Sequence, residues 1–377
     1  MTANRWLIIL SVLILLAGLV WWSGQQRTAD SDIHIAALLP LTGNGALDGE
    51  LITRGLKLAQ ADLEELIGMP VRITIEDTHG NSKEAVNVYQ KLKLSDPPQA
   101  IITWGSGVGL ALTPLVNEDQ VLQMGVATSS PDYTSPDDFT LRNFPLASDE
   151  ADFIVESIVS RLGASRLGIA TINNDYGNGL QGQIEQRLGA VGITVTGTET
   201  LEPAGTDFRT QISQLKATQP EAVLLLSYSV EGATFLRQAK ELGLTAPVIA
   251  SSAIFGNDII DAAGAGSEGV LISNASIAFD SPDNERFQAF LERYEQAFDE
   301  PLGPQDIMAL RGYDALVLLA NALHNCTGDT SCAKDQLLAV RDHLGINGAI
   351  TFDASGDLVN PDFGLMTVTN GRYEPVK

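Results

Sequence analysis

The chain has 377 residues, with 23 Lys and Arg against 47 Asp and Glu, a formal net charge of −24 at pH 7. That balance excludes a nucleic-acid binder, and a composition 44% hydrophobic and 19% charged excludes a disordered chain. At roughly 100–200 residues per domain, the length predicts two or three domains with true hydrophobic cores.

In chain order, the first feature is an apolar stretch from Trp6 to Trp22, broken only by Ser11 and Gly18 and preceded by Arg5. As a helix it would span about 25 Å, short for a transmembrane segment and long for a signal-peptide core. Trp6, Trp21 and Trp22 at its two ends, and no small-x-small pair close behind it, favour an anchor that stays in the membrane. Arg5 predicts that the N-terminus faces the cytoplasm and that everything after Ser23 lies outside.

Beyond a polar linker, short β-branched runs alternate with amphipathic stretches. Strand Ile33 to Leu39 is followed by helix Asp48 to Ile67, strand Val71 to Glu76, helix Ser82 to Leu94, strand Ala100 to Thr103, helix Val108 to Asn117 and strand Val121 to Val126. This is the βαβ rhythm of a parallel sheet. Thr128 to Asp138, rich in Ser, Pro and Asp, reads as a loop. A second series begins with helix Asp149 to Leu162 and strand Leu167 to Ile172, and ends with strands Val248 to Ala250 and Gly269 to Ser273. Helices Asn284 to Phe298, Pro304 to Leu323 and Cys332 to His343 follow, then strands Ala349 to Phe352 and Leu365 to Thr369. Two open α/β sheets predict two lobes with a ligand crevice at the carboxyl ends of the strands. Cys326 and Cys332, the only cysteines, read as one disulfide closing a small loop between helices in an extracytoplasmic chain.

Enzyme chemistry finds no foothold. Gly105-Ser-Gly-Val-Gly109 follows a strand and opens a helix, so its N–H groups suit an anion. The dinucleotide fingerprint fails at its third glycine, where Leu110 stands, and no P-loop lysine follows. A carboxylate fits this loop better than a nucleotide. The histidines His34, His79, His324 and His343 show no metal-ligand spacing and read as strand-edge or surface residues. Glu76-Asp77 reads as a capping or loop-bracing pair. No catalytic constellation, cofactor site or metal site is expected.

Several segments carry a resemblance in their order and spacing. They include Leu39-Pro-Leu-Thr-Gly43, Trp104-Gly-Ser-Gly107, Ala127-Thr-Ser-Ser-Pro131, Leu141-Arg-Asn-Phe-Pro145, Asn174-Asp-Tyr-Gly-Asn-Gly179, Tyr313-Asp-Ala315 and Phe352-Asp-Ala-Ser-Gly356. From about Ile33 to the C-terminus the chain resembles type I periplasmic solute-binding proteins, the leucine/isoleucine/valine-binding proteins of ABC transporters and their relatives. The resemblance implies two doubly wound parallel-sheet lobes joined by three crossovers. Lobe 1 would comprise 32–146 and 279–352, lobe 2 147–278 and 353–377, with 1–31 as membrane segment and linker. The chain would leave lobe 1 near Pro145, return near Ala278 and cross again near Phe352.

The resemblance also implies site residues. Ser106, with Gly105 beside it, would take a ligand carboxylate at the helix N-terminus, and Ser129, with Thr128 adjacent, would bond both carboxylate and amine. Trp104 would wall the pocket, Tyr176 and Tyr228 would close over the ligand from lobe 2, and Met308 would add an apolar contact. Two departures stand out: Ala253 occupies the place where relatives carry an acid for the ligand ammonium, and Asp48 stands where they often carry a tyrosine. An ammonium buried without a carboxylate is costly. Asp48 could therefore supply the charge from the opposite side, or simply cap its helix.

The expectation is a non-enzymatic, extracytoplasmic solute-binding protein of an ABC importer, tethered through residues 6–22, delivering a small polar organic ligand to permease subunits. An amino acid with an apolar side chain leads. The alternatives are a membrane-tethered ligand sensor, a binder of an amine-free carboxylate or amide, and a two-domain enzyme using the Gly105 to Gly109 loop.

Overall fold

The computed structural model describes residues 33–376 apart from 44, 276–284, 304–305 and 360. The apolar stretch 6–22 and the expected crossover near Ala278 lie outside the described residues, as does Pro304, the expected start of a helix. Among the described residues no helix is long and apolar enough to cross a membrane.

Strands β1 (Ile33–Leu39), β2 (Val71–Asp77), β3 (Ala100–Thr103), β4 (Leu122–Gly125) and β5 (Thr140–Arg142) form a parallel sheet in the order β2-β1-β3-β4-β5. Every residue of β1 is buried, His34 included. That is expected for an inner strand covered on both faces. The side-chain period of two sends Ile35, Ala37 and Leu39 to one face and Ala36 and Leu38 to the other. The first set packs under α1 (Ala46–Ile67) and α10 (Ile307–Asn325). The second packs under α2 (Ser82–Ser95) and α3 (Ser106–Asp119). α1 and α10 lie so close that a Cβ on Gly55 would fall 2.0 Å from the carbonyl oxygen of Ala309. Only glycine permits that approach. This sheet and its helices make lobe 1, whose far side is covered by α9 (Glu285–Phe298).

The second sheet runs β14-β13-β10-β9-β8-β6-β7. Its parallel part comprises β6 (Arg166–Ile172), β7 (Thr194–Leu201), β8 (Ala222–Leu226), β9 (Val248–Ala250) and β10 (Leu271–Asn274). Helices α4 (Ala147–Ser157) and α5 (Asp175–Leu188) cover one face. Helices α6 (Arg209–Ala217), α7 (Ser229–Glu241) and α8 (Asn257–Ala263) cover the other. This is lobe 2. It is not the all-parallel sheet expected, because β13 (Gly364–Thr369) pairs antiparallel with β10 and β14 (Arg372–Pro375) pairs antiparallel with β13. Asn370 and Gly371, at φ 53° and 69°, make the two-residue turn between them.

Two other expectations change. The helix expected over Asp149 to Leu162 ends at Ser157 and finishes in a π turn over Ile158–Leu162. The helix expected to reach His343 is α11 (Thr330–Leu338). His343 instead begins β11 (His343–Gly345), which pairs with β12 (Gly348–Ile350) in a separate hairpin. Cys326 and Cys332 are joined by a disulfide across the turn between α10 and α11.

Two buried arginines hold the segments between the lobes. Arg142, at the end of β5, pairs with Asp357 at 2.6 Å. Arg311, in α10, donates to the carbonyls of Asn143 and Ala275 and lies 4.8 Å from the centroid of Phe144. Burial pushes its pKa down to about 10, against a smaller upward pull from Asp314.

Candidate ligand-binding cleft

The carboxyl ends of the two sheets face each other across a cavity of about 210 Å³. Lobe 1 supplies the start of α1 and the residues that follow β3, β4 and β5. Gly45, at φ 84°, leads into α1, so Leu47, Asp48 and Leu51 fall on one face of its first two turns and line the cavity. Trp104 follows β3, Ala127 follows β4, and Phe144 lies just past β5. Lobe 2 supplies Tyr176 from the first turn of α5, Tyr228 with Ser229 and Val230 at the start of α7, and the loop of Ser252, Ala253, Phe255 and Gly256. Asn274, Ala275, Ile307 and Met308 close the side nearest the crossovers.

The centre of the cleft is an aromatic column with one carboxylate. Trp104 Nε1 donates to Asp48 Oδ2 at 2.8 Å. The indole lies against Gly45, where a Cβ would come within 2.6 Å of it. Tyr228 lies 5.5 Å from the Trp104 ring, tilted by 39°, and stacks on Tyr176 at 5.2 Å and 17°. Both tyrosine hydroxyls have their pKa pushed up, first by burial. For Tyr228 the carboxylates of Asp48, Glu231 and Asp175 add to the push. Behind Tyr176, the buried Glu150 accepts from Ser252 N–H and the Ser273 hydroxyl, and burial raises its pKa despite these bonds.

Trp104, Asp48, Tyr176, Tyr228, Ala253 and Met308 thus meet at one cavity, whereas Ser106, Gly105, Thr128 and Ser129 do not line it. Ser106 Oγ accepts the N–H groups of Ser129 and Ser130, each at 3.3 Å, and its residue is 1% exposed. Thr128 Oγ1 donates to the Gly105 carbonyl at 3.4 Å, and the Thr128 carbonyl accepts from Arg142 Nη1 at 3.0 Å. The remaining Arg142 contacts, to Thr134 and Asp357, fix this loop from behind. Across the cleft, the Asp175 carboxylate borders the first turn of α3: its Oδ2 lies 3.0 Å from where a Gly107 Cβ would stand.

The histidines take no part in the cavity. His34 is buried and bonded to Thr74, not at a strand edge or surface as expected. Asp77 braces the loop after β1 by accepting from Leu41, Thr42 and His79 N–H groups.

Sequence reasoning missed Leu47, Leu51, Phe144, Phe255, Asn274 and Ile307. The i, i+4 relation of Leu47 and Leu51 around Asp48 was a usable signal. So was Phe144, inside a segment already singled out.

A family model described as "Periplasmic binding protein" matches residues 32–372. The Leu/Ile/Val-binding protein BraC3 of Rhizobium johnstonii is 24% identical over 355 residues, covering 91% of this chain and 94% of the relative. Among solved structures, a leucine-binding protein LivK from Thermotoga maritima superposes with a TM-score of 0.85 at 24% identity, covering 92% of this chain and 98% of that one. A solute-binding protein from R. palustris in complex with benzoate gives 0.80 at 19% identity, over 92% and 95%.

Proposed function

Because the chain belongs to the periplasmic binding protein family, of the leucine/isoleucine/valine-binding type, we propose that it is the extracytoplasmic capture subunit of an ABC importer, closing two lobes around a small organic ligand. The family consists of solute binders, not enzymes, and implies a place outside the cytoplasm. The finer reading assigns lobe 1 to 32–146 and 279–352 and lobe 2 to 147–278 and 353–377. Sheet membership supports it at the C-terminus, where β13 and β14 join the second sheet. The apolar stretch 6–22 supports retention in the cytoplasmic membrane, which fractionation of cells expressing the full chain tests: recovery in the soluble extracytoplasmic fraction would mean cleavage.

One observation carries the capture reading. Trp104 of lobe 1 and Tyr228 of lobe 2 touch across a small cavity that both lobes line. Its volume is below the roughly 300–1,000 Å³ of drug-sized sites, which suits a molecule of amino-acid size. In this reading Leu51, Ile307 and Met308 hold an apolar body and Asp48 holds an amine. Binding shifts a hinge equilibrium toward the closed form that a permease meets. Amino acids with apolar side chains, the ligands named for relatives of this chain, are the first class to test.

The test is thermal stabilisation of the full chain by amino acids, amines, amides, aromatic acids and nucleotides. A ligand at a hundred times its dissociation constant adds about 2.7 kcal/mol. Stabilisation by nucleotides alone would overturn solute capture.

A further inference from the structure

The cleft is one-sided in its charge. Asp48 is the single charged side chain lining it among the described residues, and no Lys or Arg lines it. The buried Arg311 spends both terminal nitrogens on the carbonyls of Asn143 and Ala275. It lies over Phe144 and lines a separate cavity on the crossover side.

The anion slot expected at the start of α3 is already satisfied by the protein. Ser106 Oγ accepts the two N–H groups of Ser129 and Ser130. The partial positive charge of the helix start already has the carboxylate of Asp175 beside it. A ligand carboxylate at the start of α3 would have to displace these groups, and elsewhere on the cavity wall it would meet only neutral polar groups, Ser229, Ser252 and Asn274 among them, with no base to pair it. The aromatic column favours the opposite sign, since ring faces attract cations, ammonium groups included. A chain of net charge −24 draws cations at long range.

We propose that the cleft selects an organic cation, an alkyl- or arylammonium with an apolar body, anchored by Asp48 against the Trp104–Tyr228–Tyr176 column, with no ligand carboxylate required. This rests on the capture reading above and fixes its ligand class.

Matched triads on the full chain test it: leucine, isoamylamine and 4-methylpentanoate, then phenylalanine, phenethylamine and 3-phenylpropanoate, each measured by titration calorimetry and melting temperature. The expected result is that an amine binds at least as tightly as its amino acid and at least tenfold more tightly than its acid. Asp48→Asn should weaken the amine at least tenfold and should not weaken the matching acid. Binding of amino acids or acids with matching amines at least tenfold weaker overturns the cation inference and leaves solute capture standing. Amine binding that Asp48→Asn does not alter overturns the anchor. If neither triad nor any amide or aromatic acid binds, the capture reading falls and this one with it.

Discussion

Lobe 1 meets the cleft with an indole tied to Asp48 at 2.8 Å and, behind it, a Ser/Thr loop tied to Ser106 and Arg142. Lobe 2 meets it with Tyr176 and Tyr228 stacked on each other, and neither Tyr176 Oη nor Ser251 Oγ completes a hydrogen bond of ordinary geometry among the described residues. A wall fixed by its own hydrogen bonds keeps its shape whether or not the other lobe is near, so lobe 1 is the preorganised half-site. A wall held by ring packing, with Tyr228 against Trp104 of the opposite lobe, depends for its shape on where that lobe stands. Preorganisation on one side lowers the ordering cost of binding, and the adaptable side is where specificity can change with least damage to the fold.

The strongest way to break that comparison is to remove the lobe 1 brace. Arg142 is fully buried, paired with Asp357 and bonded to Thr128 and Thr134, with its guanidinium 5.1 Å from the centroid of Tyr133. Truncating one member of a buried pair costs about 3–5 kcal/mol. Arg142→Ala should lose that much in denaturant unfolding and lose ligand binding too. A loss below about 1 kcal/mol would mean the loop holds itself.

Trp104→Phe is a gentler break. It keeps a ring against Tyr228 but deletes the Nε1 donor to Asp48, leaving the carboxylate short of one hydrogen bond. The expected cost is about 1–3 kcal/mol, with ligand affinity lowered about tenfold. Unchanged affinity would mean that Asp48 does not need the indole to hold its position.

A pH series sharpens the same contrast from within lobe 1. Asp314 is buried, accepts from Ile346 and Asn347 N–H groups, and has its pKa pushed up to about 6, chiefly by burial. Its ordinary value is 3.8, so between about pH 4 and 6 the folded protein binds a proton that the unfolded chain does not. Stability from this group therefore rises as pH falls through 6 toward 4 and declines as pH rises. Asp314→Asn should flatten the melting temperature between pH 7 and pH 5. An unchanged slope would assign the effect to the other carboxylates that burial displaces in the same direction, Glu150, Asp138, Asp149 and Asp306.

Most of the scaffold was legible because strand and helix periods are local. β1, β3 and β9 have both the residues and the type expected for them. The misses came where length or pairing decides. β5 is three residues long, too short for any period to register, and becomes a strand only beside β4. The β13–β14 hairpin had a readable signal in Asn370-Gly371, but its antiparallel placement on β10 is a nonlocal choice. At the cavity, Trp104, Asp48 and the two tyrosines are placed through the resemblance to the family, not by any local period. Which way Ser106 turns could not be read, because it depends on whether Ser129 and Ser130 N–H groups reach it across the fold. Spacing brings groups to one place; competition among nearby donors and acceptors decides which of them face the ligand.

The smallest expected effect is the most discriminating. Tyr176→Phe deletes one buried oxygen that completes no hydrogen bond of ordinary geometry among the described residues. Only weak contacts with the Ser251 hydroxyl and the Ala253 backbone are lost. Unliganded stability should therefore stay within about 0.5 kcal/mol, and the stack on Tyr228 should persist. If the hydroxyl contacts ligand in the closed form, affinity falls several-fold while the unliganded melt does not move. That split separates a ligand-facing role from a structural one. A loss of more than about 1 kcal/mol without ligand would show that Tyr176 Oη is already engaged and that lobe 2, like lobe 1, is held by hydrogen bonds.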